Sequence, residues 1–267
     1  MTYNLQRYTL ADRNRDGKKD DPKPDSECRA VAKLIGQIRP NVLAIQEIGN
    51  LAQLNAFIAW LKTEGLEYPY TELQRNNYDL NLAVLSQFPI IGSTHHTNAW
   101  YSIGKAKLKV ARGFLETQIE VEPGYRFHLL VAHLKSKVYS RLGQTEMRRN
   151  EARLLNKVVR SILKNNPNCR LLVMGDMNDN PNSAAFREMI GKSRKNLFDL
   201  RPTEPSGDAW TYFQESTDMH MRIDYILTNA EMLRDVVQEK STVVRNRLTY
   251  EASDHRPVVA VFQTSEK

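Results

Sequence analysis

The residues able to do chemistry in this chain stand at the ends of apolar runs. Leu171-Leu172-Val173-Met174 leads into Gly175-Asp176-Met177-Asn178, and Val42-Leu43-Ala44-Ile45 leads into Gln46-Glu47. Leu129-Leu130-Val131-Ala132 leads into His133, and Ser253-Asp254-His255 precedes Pro257-Val258-Val259-Ala260-Val261. Carboxylates, an amide and imidazoles delivered by strands suit a divalent cation and a phosphate ester. A hydrolytic enzyme is the reading these residues favour.

Each residue type has a job it can do. Glu47, at a strand end, is placed to bind a hard cation such as magnesium, or else to cap a following helix in solvent. Asp176 and Asn178 lie two apart and face one side of an extended segment. There Asp176 can take a proton from an attacking water, and Asn178 can donate to a phosphate oxygen. The same residues are also ordinary turn formers. Asp254 and His255 are adjacent and need a bend to act together, Asp254 on a metal and His255 on the phosphoryl group as a cation. Asp224 is a charge in the apolar run Ile223-Asp224-Tyr225-Ile226-Leu227. A buried charge needs a partner, and His255 is the candidate; the alternative is an edge strand with Asp224 in solvent. His133 can donate a proton to a leaving oxygen, with Lys135 and Lys137 holding a neighbouring phosphate.

The elements that must position these groups are legible in outline. Asp12 to Pro24 reads as a polar surface loop. Ala30, Val31, Leu34, Ile35 and Ile38 then recur at helical spacing until Pro40. Strands are expected at Val42–Ile45, Asn81–Ser86, Ile90–Thr94, Gly113–Val121 and Arg126–Ala132, with a hairpin turn at Gly124. Thr145 to Leu163 carries an apolar stripe of Ala152, Leu155, Val158, Val159 and Ile162, which predicts a long helix. The strand Arg170–Met174, a short helix Ser183–Ile190 and strands at Ile223–Leu227 and Pro257–Phe262 complete the pattern. Two packed mixed sheets with helices outside, in one domain over residues 1–267, satisfy this order.

Composition narrows the partners. The chain has 267 residues, 41% of them apolar, and a formal net charge of +7. That is enough apolar matter for a large core, and no run is long enough to span a bilayer. The basic balance favours a polyanion, nucleic acid before anionic lipid. Lys105-Ala106-Lys107-Leu108-Lys109 and Arg148-Arg149 point the same way. Cys28 and Cys169 lack metal-site spacing; they form one disulfide or stand as separate buried thiols. Met1 leads directly into a strand. A secreted or periplasmic protein would need a leader upstream of it, so localisation is not legible.

In order along the chain, Tyr3-Asn4-Leu5, Ile45-Gln46-Glu47, Leu85-Ser86-Gln87-Phe88-Pro89-Ile90, Arg112-Gly113, His133, Gly175-Asp176-Met177-Asn178, Ile223-Asp224-Tyr225-Ile226 and Ser253-Asp254-His255 resemble the endonuclease/exonuclease/phosphatase superfamily. That group includes deoxyribonuclease I, abasic-site endonucleases, neutral sphingomyelinases and inositol polyphosphate 5-phosphatases. The resemblance implies a deoxyribonuclease I-like four-layer sandwich and cleavage of phosphoesters dependent on magnesium or manganese. It implies Glu47, Asn4 and Asp254 at the metal, and Asp176 on the water. It further implies Asn178 and Arg112 at the phosphate, Asp224 orienting His255, and His133 as general acid. Gln6 stands where abasic-site endonucleases carry Asp or Asn, and His133 where they use Tyr. Gln6 weakens the DNA-repair resemblance, and His133 looks more like deoxyribonuclease I and the sphingomyelinases. By Asn4-Leu5-Gln6-Arg7-Tyr8 and His133-Leu134-Lys135-Ser136-Lys137 the chain most resembles a set of bacterial hydrolases and secreted nucleases. The expected activity is a monomeric nuclease acting on DNA or RNA. A phosphatase or phosphodiesterase for a lipid or small phosphoester is the alternative, and a non-catalytic module the third.

Overall fold

The computed structural model describes residues 1–74, 79–191 and 197–264. The first half of the chain runs β1 (Thr2–Tyr8), α1 (Asp25–Ile38), β2 (Val42–Ile48), α2 (Leu51–Thr63), β3 (Tyr70–Gln74), β4 (Asn81–Ser86), β5 (Ile90–His96), β6 (Trp100–Ile103), β7 (Ala106–Lys109), β8 (Phe114–Glu122) and β9 (Tyr125–His133). The second half runs α3 (Gln144–Asn165), β10 (Arg170–Asp176), α4 (Ala184–Ile190), β11 (Phe198–Asp199), β12 (Tyr212–Gln214), β13 (Met219–Met221), β14 (Asp224–Thr228), β15 (Thr242–Val243) and β16 (Val258–Val259).

Two mixed six-stranded sheets result, ordered β15-β16-β1-β2-β4-β3 and β11-β14-β10-β9-β8-β5. Their inner faces meet through Ala44, Leu82, Val84, Leu129, Val131, Leu172, Met174 and Ile226, all buried. The outer face of the first sheet takes Leu34, Ile35, Leu54, Phe57 and Leu61 from α1 and α2. The outer face of the second takes Ala152, Leu155, Val159 and Met189 from α3 and α4. Strands buried on both faces need continuous apolar runs. The sequences of β2, β4, β9 and β10 supply them, and the expected helix–sheet–sheet–helix sandwich is the structure found.

Several boundaries differ from the sequence reading. The strand expected at Pro257–Phe262 shrinks to Val258–Val259, with Phe262 making only an isolated bridge to Val236. Helix α1 stops at Ile38, where Arg39 turns left-handed, rather than at Pro40 itself. Helix α2 escaped the reading, although Asn50 and Gln53 form a reciprocal capping box at its start. The polar loop after β1 is ordered by its own side chains: Asp12, Asn14 and Asp16 accept from the backbone N–H groups of Gly17, Asp16 and Lys18. Neither cysteine is bonded to the other; Cys28 is buried and Cys169 half-buried.

The register that matters most is at the end of β10. Asp176 pairs with His133 on parallel β9 and with Asp224 on antiparallel β14. Gly175, one residue earlier, has φ +137°, and a Cβ there would stand 2.0 Å from the carbonyl oxygen of Ala132. Only glycine lets β9 and β10 approach this closely and still pair. Gly175→Ala should therefore separate the strands that carry His133 and Asp176. The expected cost is about 3 kcal/mol or more, read as a fall in the chemical-denaturation midpoint, with activity lost in whatever fraction still folds.

Candidate active site

Strand ends from both sheets converge on one cleft of about 650 Å³. Gln6, Arg7, Glu47, Arg112, His133, Lys137, Asp176, Asn178, Tyr212, Asp254 and His255 are among the residues that line it. Four of the eight described non-glycine residues with positive φ stand here: Gln6, Arg7, Glu47 and Asn178. Such backbone is strained and collects where side chains are aimed for function.

The first sheet delivers Glu47 and Asn4. Between Gln46 and Ile48, β2 carries an extra residue relative to β4, so Glu47 sits unpaired in a bulge with φ +65°. A bulge of this kind redirects one side chain out of the pleat. The carboxylate turns into the cleft, where Oε2 accepts from the Arg7 backbone N–H at 2.7 Å and Oε1 from Asn4 Nδ2 at 3.4 Å. Asn4 is buried, and the same Nδ2 donates to Asp176 Oδ2 at 3.0 Å. Asn4 thus meets both carboxylates with its N–H groups, while its oxygen accepts from the Gln6 backbone. It stands inside the expected metal cluster as a strut between Glu47 and Asp176.

The second sheet delivers the rest. Asp176 is buried, and its Oδ2 lies 3.3 Å from His133 Nε2 and 3.8 Å from His255 Nε2. Asp176 and Asn178 do not share an extended segment as expected. The strand ends at Asp176, and Asn178 turns left-handed with φ +53° so that its backbone N–H caps Asp176 Oδ1 at 2.8 Å. Its side-chain Nδ2 donates to Leu134 O and to Asp176 Oδ2. Asn178 therefore orients the carboxylate in this structure and does not point a free N–H at the cleft.

His255 Nδ1 meets Asp224 Oδ2 at 2.8 Å with both groups buried, the pairing the sequence suggested. Asp224 lies at the start of β14, between β11 and β10, and not on an edge strand. The bend that brings Asp254 and His255 into one site is held by Ser253, whose hydroxyl donates to Asn4 O and accepts from the His255 backbone N–H. Gln6 Oε1 accepts from the Asp254 N–H. The amide that departs from the abasic-site pattern thus ties β1 to the Asp254 loop.

Burial and charge set the protonation of the cluster. Burial raises Asp176 to about 7, with Asp224 adding to the rise and His255 opposing it. Burial pushes Asp254 up as well, against the pull of His255. Burial alone would depress His255, but the Asp224 carboxylate overrides it and lifts the imidazole to about 10. His133 goes the other way: burial, then Arg112 and His255, hold it well below the ordinary histidine range. The site thus contains one cationic imidazole, His255, and one neutral one, His133.

The donor set fits a hard divalent cation. Asp176, Asp224 and His255 lie within 4.8 Å of one another, yet Asp224 and His255 form a closed pair. Glu47, Asp176 and Asp254 remain as carboxylates lining the cleft. Such a concentration of carboxylates in one cleft is relieved by a cation with oxygen ligands.

The expected phosphate-binding cations divide. Arg112 lines the cleft and donates to Leu134 O at 3.1 Å. Lys135 does not line it: its Nζ donates to Ser136 O, Ser136 Oγ and Val138 O and shapes the loop. Lys137 is the lysine at the cleft wall. Arg148 and Arg149, read as a basic surface, are not one. Arg148 is buried against Asp179 and the carbonyls of Lys135 and Ser136, and Arg149 pairs with Glu188.

Sequence reasoning missed two supports. Tyr212 packs at a tilt against His255 with ring centroids 4.8 Å apart and bridges its backbone, and Thr211 Oγ1 accepts from the Asp224 N–H. These lie in a stretch without periodicity. Buried Glu151, which accepts from the Lys135 N–H at 2.6 Å, carried a readable signal. Arg148 and Glu151 extend the apolar stripe of α3 toward its N-terminus, a place where a charge needs a partner.

The matched relatives agree with this architecture. Beta toxin from Staphylococcus aureus superposes with a TM-score of 0.69 at 20% identity, over 98% of this chain and 99% of that one. Sphingomyelinase C from Streptomyces griseocarneus gives 0.66 at 20%, over 97% of each chain. The human nocturnin catalytic domain gives 0.65 at 18%, over 90% and 88%. No curated protein sequence matches significantly. The family model of the endonuclease/exonuclease/phosphatase family matches residues 1–255. With that match over nearly its whole length, and with this site, the chain belongs to the endonuclease/exonuclease/phosphatase family and is a phosphoester hydrolase.

Proposed function

We propose that the protein is a nuclease that cleaves phosphodiesters of DNA or RNA by water attack, assisted by magnesium or manganese. The observation that carries this reading is the convergence of Glu47, Asp176, Asp254, His133 and His255 on the floor of one open cleft. Glu47 and Asp254 would hold the cation, with Asn4 setting the spacing between Glu47 and Asp176. When bound, the cation would neutralise charge on the phosphoryl group.

Asp176, raised toward neutrality and fixed by Asn4 and Asn178, takes the proton of the attacking water. His255, kept cationic by Asp224, carries the proton the departing oxygen requires and pairs with the phosphoryl charge. His133 was expected to be that acid. Burial holds it neutral, so its contribution is an N–H hydrogen bond. Arg112 and Lys137 line the same cleft and would pair with the phosphate charge.

A second reading rests on a specific observation. Val138, Tyr139 and Leu142 are 72%, 81% and 40% exposed, and Val138 lines the cleft. An apolar rim of this kind suits a lipid phosphodiester at a membrane surface, and one fold relative is named sphingomyelinase C. Nucleic acid ranks first because the net charge is +7.

Supercoiled plasmid incubated with magnesium or manganese should be nicked, and EDTA should stop it. Glu47→Ala and Asp176→Ala should each lower the rate by about 10²-fold or more with unchanged circular dichroism. Metal-dependent hydrolysis of sphingomyelin vesicles with plasmid left intact would overturn the nuclease reading in favour of the lipid. His133→Gln keeps an N–H donor but cannot transfer a proton. It should retain roughly ten times the activity of His133→Ala, the upper span of one hydrogen-bonding group. Equal loss in both would return the general-acid role to His133. Asp224→Asn should drop His255 from about 10 toward its ordinary range. Activity that needs the imidazolium exists below the His255 pKa. The variant's rate should therefore fall as pH rises through about 6.5, where the wild type shows no such fall.

A further inference from the structure

Between residues 97 and 115 the chain contains no acidic residue, and it carries Lys105, Lys107, Lys109 and Arg112. Most of this stretch is the ribbon β6–β7, Trp100 to Lys109, which belongs to neither main sheet. One face is anchored. Tyr101 is buried, and Ile103 and Leu108 pack beside it on the cluster built around α3. The other face is in solvent. Trp100 lies opposite Lys109 and Ser102 opposite Lys107, and all four are exposed, as is Lys105 in the turn. Alternation along β7 sets Lys107 and Lys109 about 6.7 Å apart, with Lys105 in the turn beyond them. No carboxylate among the described residues pairs with any of the three.

Two details show that the face is built. The Trp100 indole donates to Asn98 Oδ1 at 2.8 Å, and Lys107 Nζ stands 5.3 Å from its ring centroid. The ring is thus fixed although it is 47% exposed. The open end of the ribbon, Trp100 with Lys109, is three residues from Arg112 at the cleft wall. Lys109, Lys107 and Lys105 therefore form a row of positive charge whose Lys109 end is joined by three residues of chain to the cleft wall.

We propose that this ribbon is a docking track for single-stranded nucleic acid. The lysines meet successive phosphates and Trp100 offers a surface on which one base stacks. Fixed aromatics interleaved with cations bind single strands without sequence preference, and a phosphate-by-phosphate row gives affinity that falls with salt. The proposal rests on the nucleic-acid reading of the cleft and specifies how a polymeric substrate is held outside the reacting bond.

The test is anisotropy of a fluorescein-labelled mixed-base 15-mer titrated with full-length Asp176→Asn protein across a salt series. The ribbon variant K105Q/K107Q/K109Q should weaken binding about tenfold or more at low salt. It should also flatten the slope of log affinity against log salt by about 2, the share of three phosphates on a single strand. K33Q/K62Q/K164Q removes the same charge from exposed helical positions and should leave the slope unchanged. Trp100→Ala should cost about fivefold or more for the single strand and nothing for a duplex.

No binding of the 15-mer, or equal effects of ribbon and control variants, would overturn the track. A duplex that binds as tightly as the single strand and shares the Trp100 dependence would overturn the single-strand assignment. The nuclease reading is tested apart from this. Ribbon-dependent binding without cleavage by the metal-loaded wild type keeps the track and removes the nuclease. Cleavage indifferent to the ribbon does the reverse. Hydrolysis of bis(p-nitrophenyl) phosphate, too small to reach the ribbon, should be the same in the wild type and the lysine variant.

Discussion

The arrangement of the active site depends on keeping one carboxylate, Asp176, buried where two sheets meet, with three more carboxylates close by. A buried carboxylate is costly unless it is hydrogen-bonded or charge-paired. Asp176 has the Asn178 backbone, the Asn4 and Asn178 amides and two imidazoles around it. Those groups come from β1, β9, the turn after β10 and the Asp254 loop, and Asp224 of β14 stands behind His255, so the site is a knot that ties all five together. The close approach at Gly175 and the left-handed turns at Glu47 and Asn178 follow from the same need. They are local concessions that aim side chains at one point.

The two imidazoles show how environment divides identical side chains. His255 has Asp224 behind it and stays charged, whereas His133 has an unpartnered Nδ1, a nearby guanidinium and full burial, and stays neutral. A pair of titratable groups pushed apart in this way marks which one holds a proton and which only donates a hydrogen bond. The outer supports extend the same logic. Arg148 and Glu151, on the stripe of α3 that faces inward, fix the chain at Lys135 and Ser136 and so shape the cleft wall.

Much of this was legible in the sequence because strands buried on both faces write continuous apolar runs, and polar residues closing such runs stand out. Glu47, His133, Asp176 and the Asp224–His255 pair were found that way, and the sandwich followed from the order of strands and helices. What stayed hidden depends on contacts far apart in the chain. The bulge at Glu47 is set by register against β4, and the turn at Asn178 by Leu134 O. Tyr212 touches His255 from 43 positions away in the sequence. Lys135 and Arg148 looked like surface cations because charge type alone does not say which way a side chain points. The short β16 was overread because apolar residues continue past the point where pairing stops.

The central claim is that the excess negative charge of the cleft is a seat for one divalent cation. Calorimetric titration of the wild type and Glu47→Gln with manganese tests it most directly. The account predicts a single binding event in the wild type, accompanied by a rise in melting temperature, and the loss of both in the variant. Equal binding in the two proteins, or none in the wild type, would contradict it.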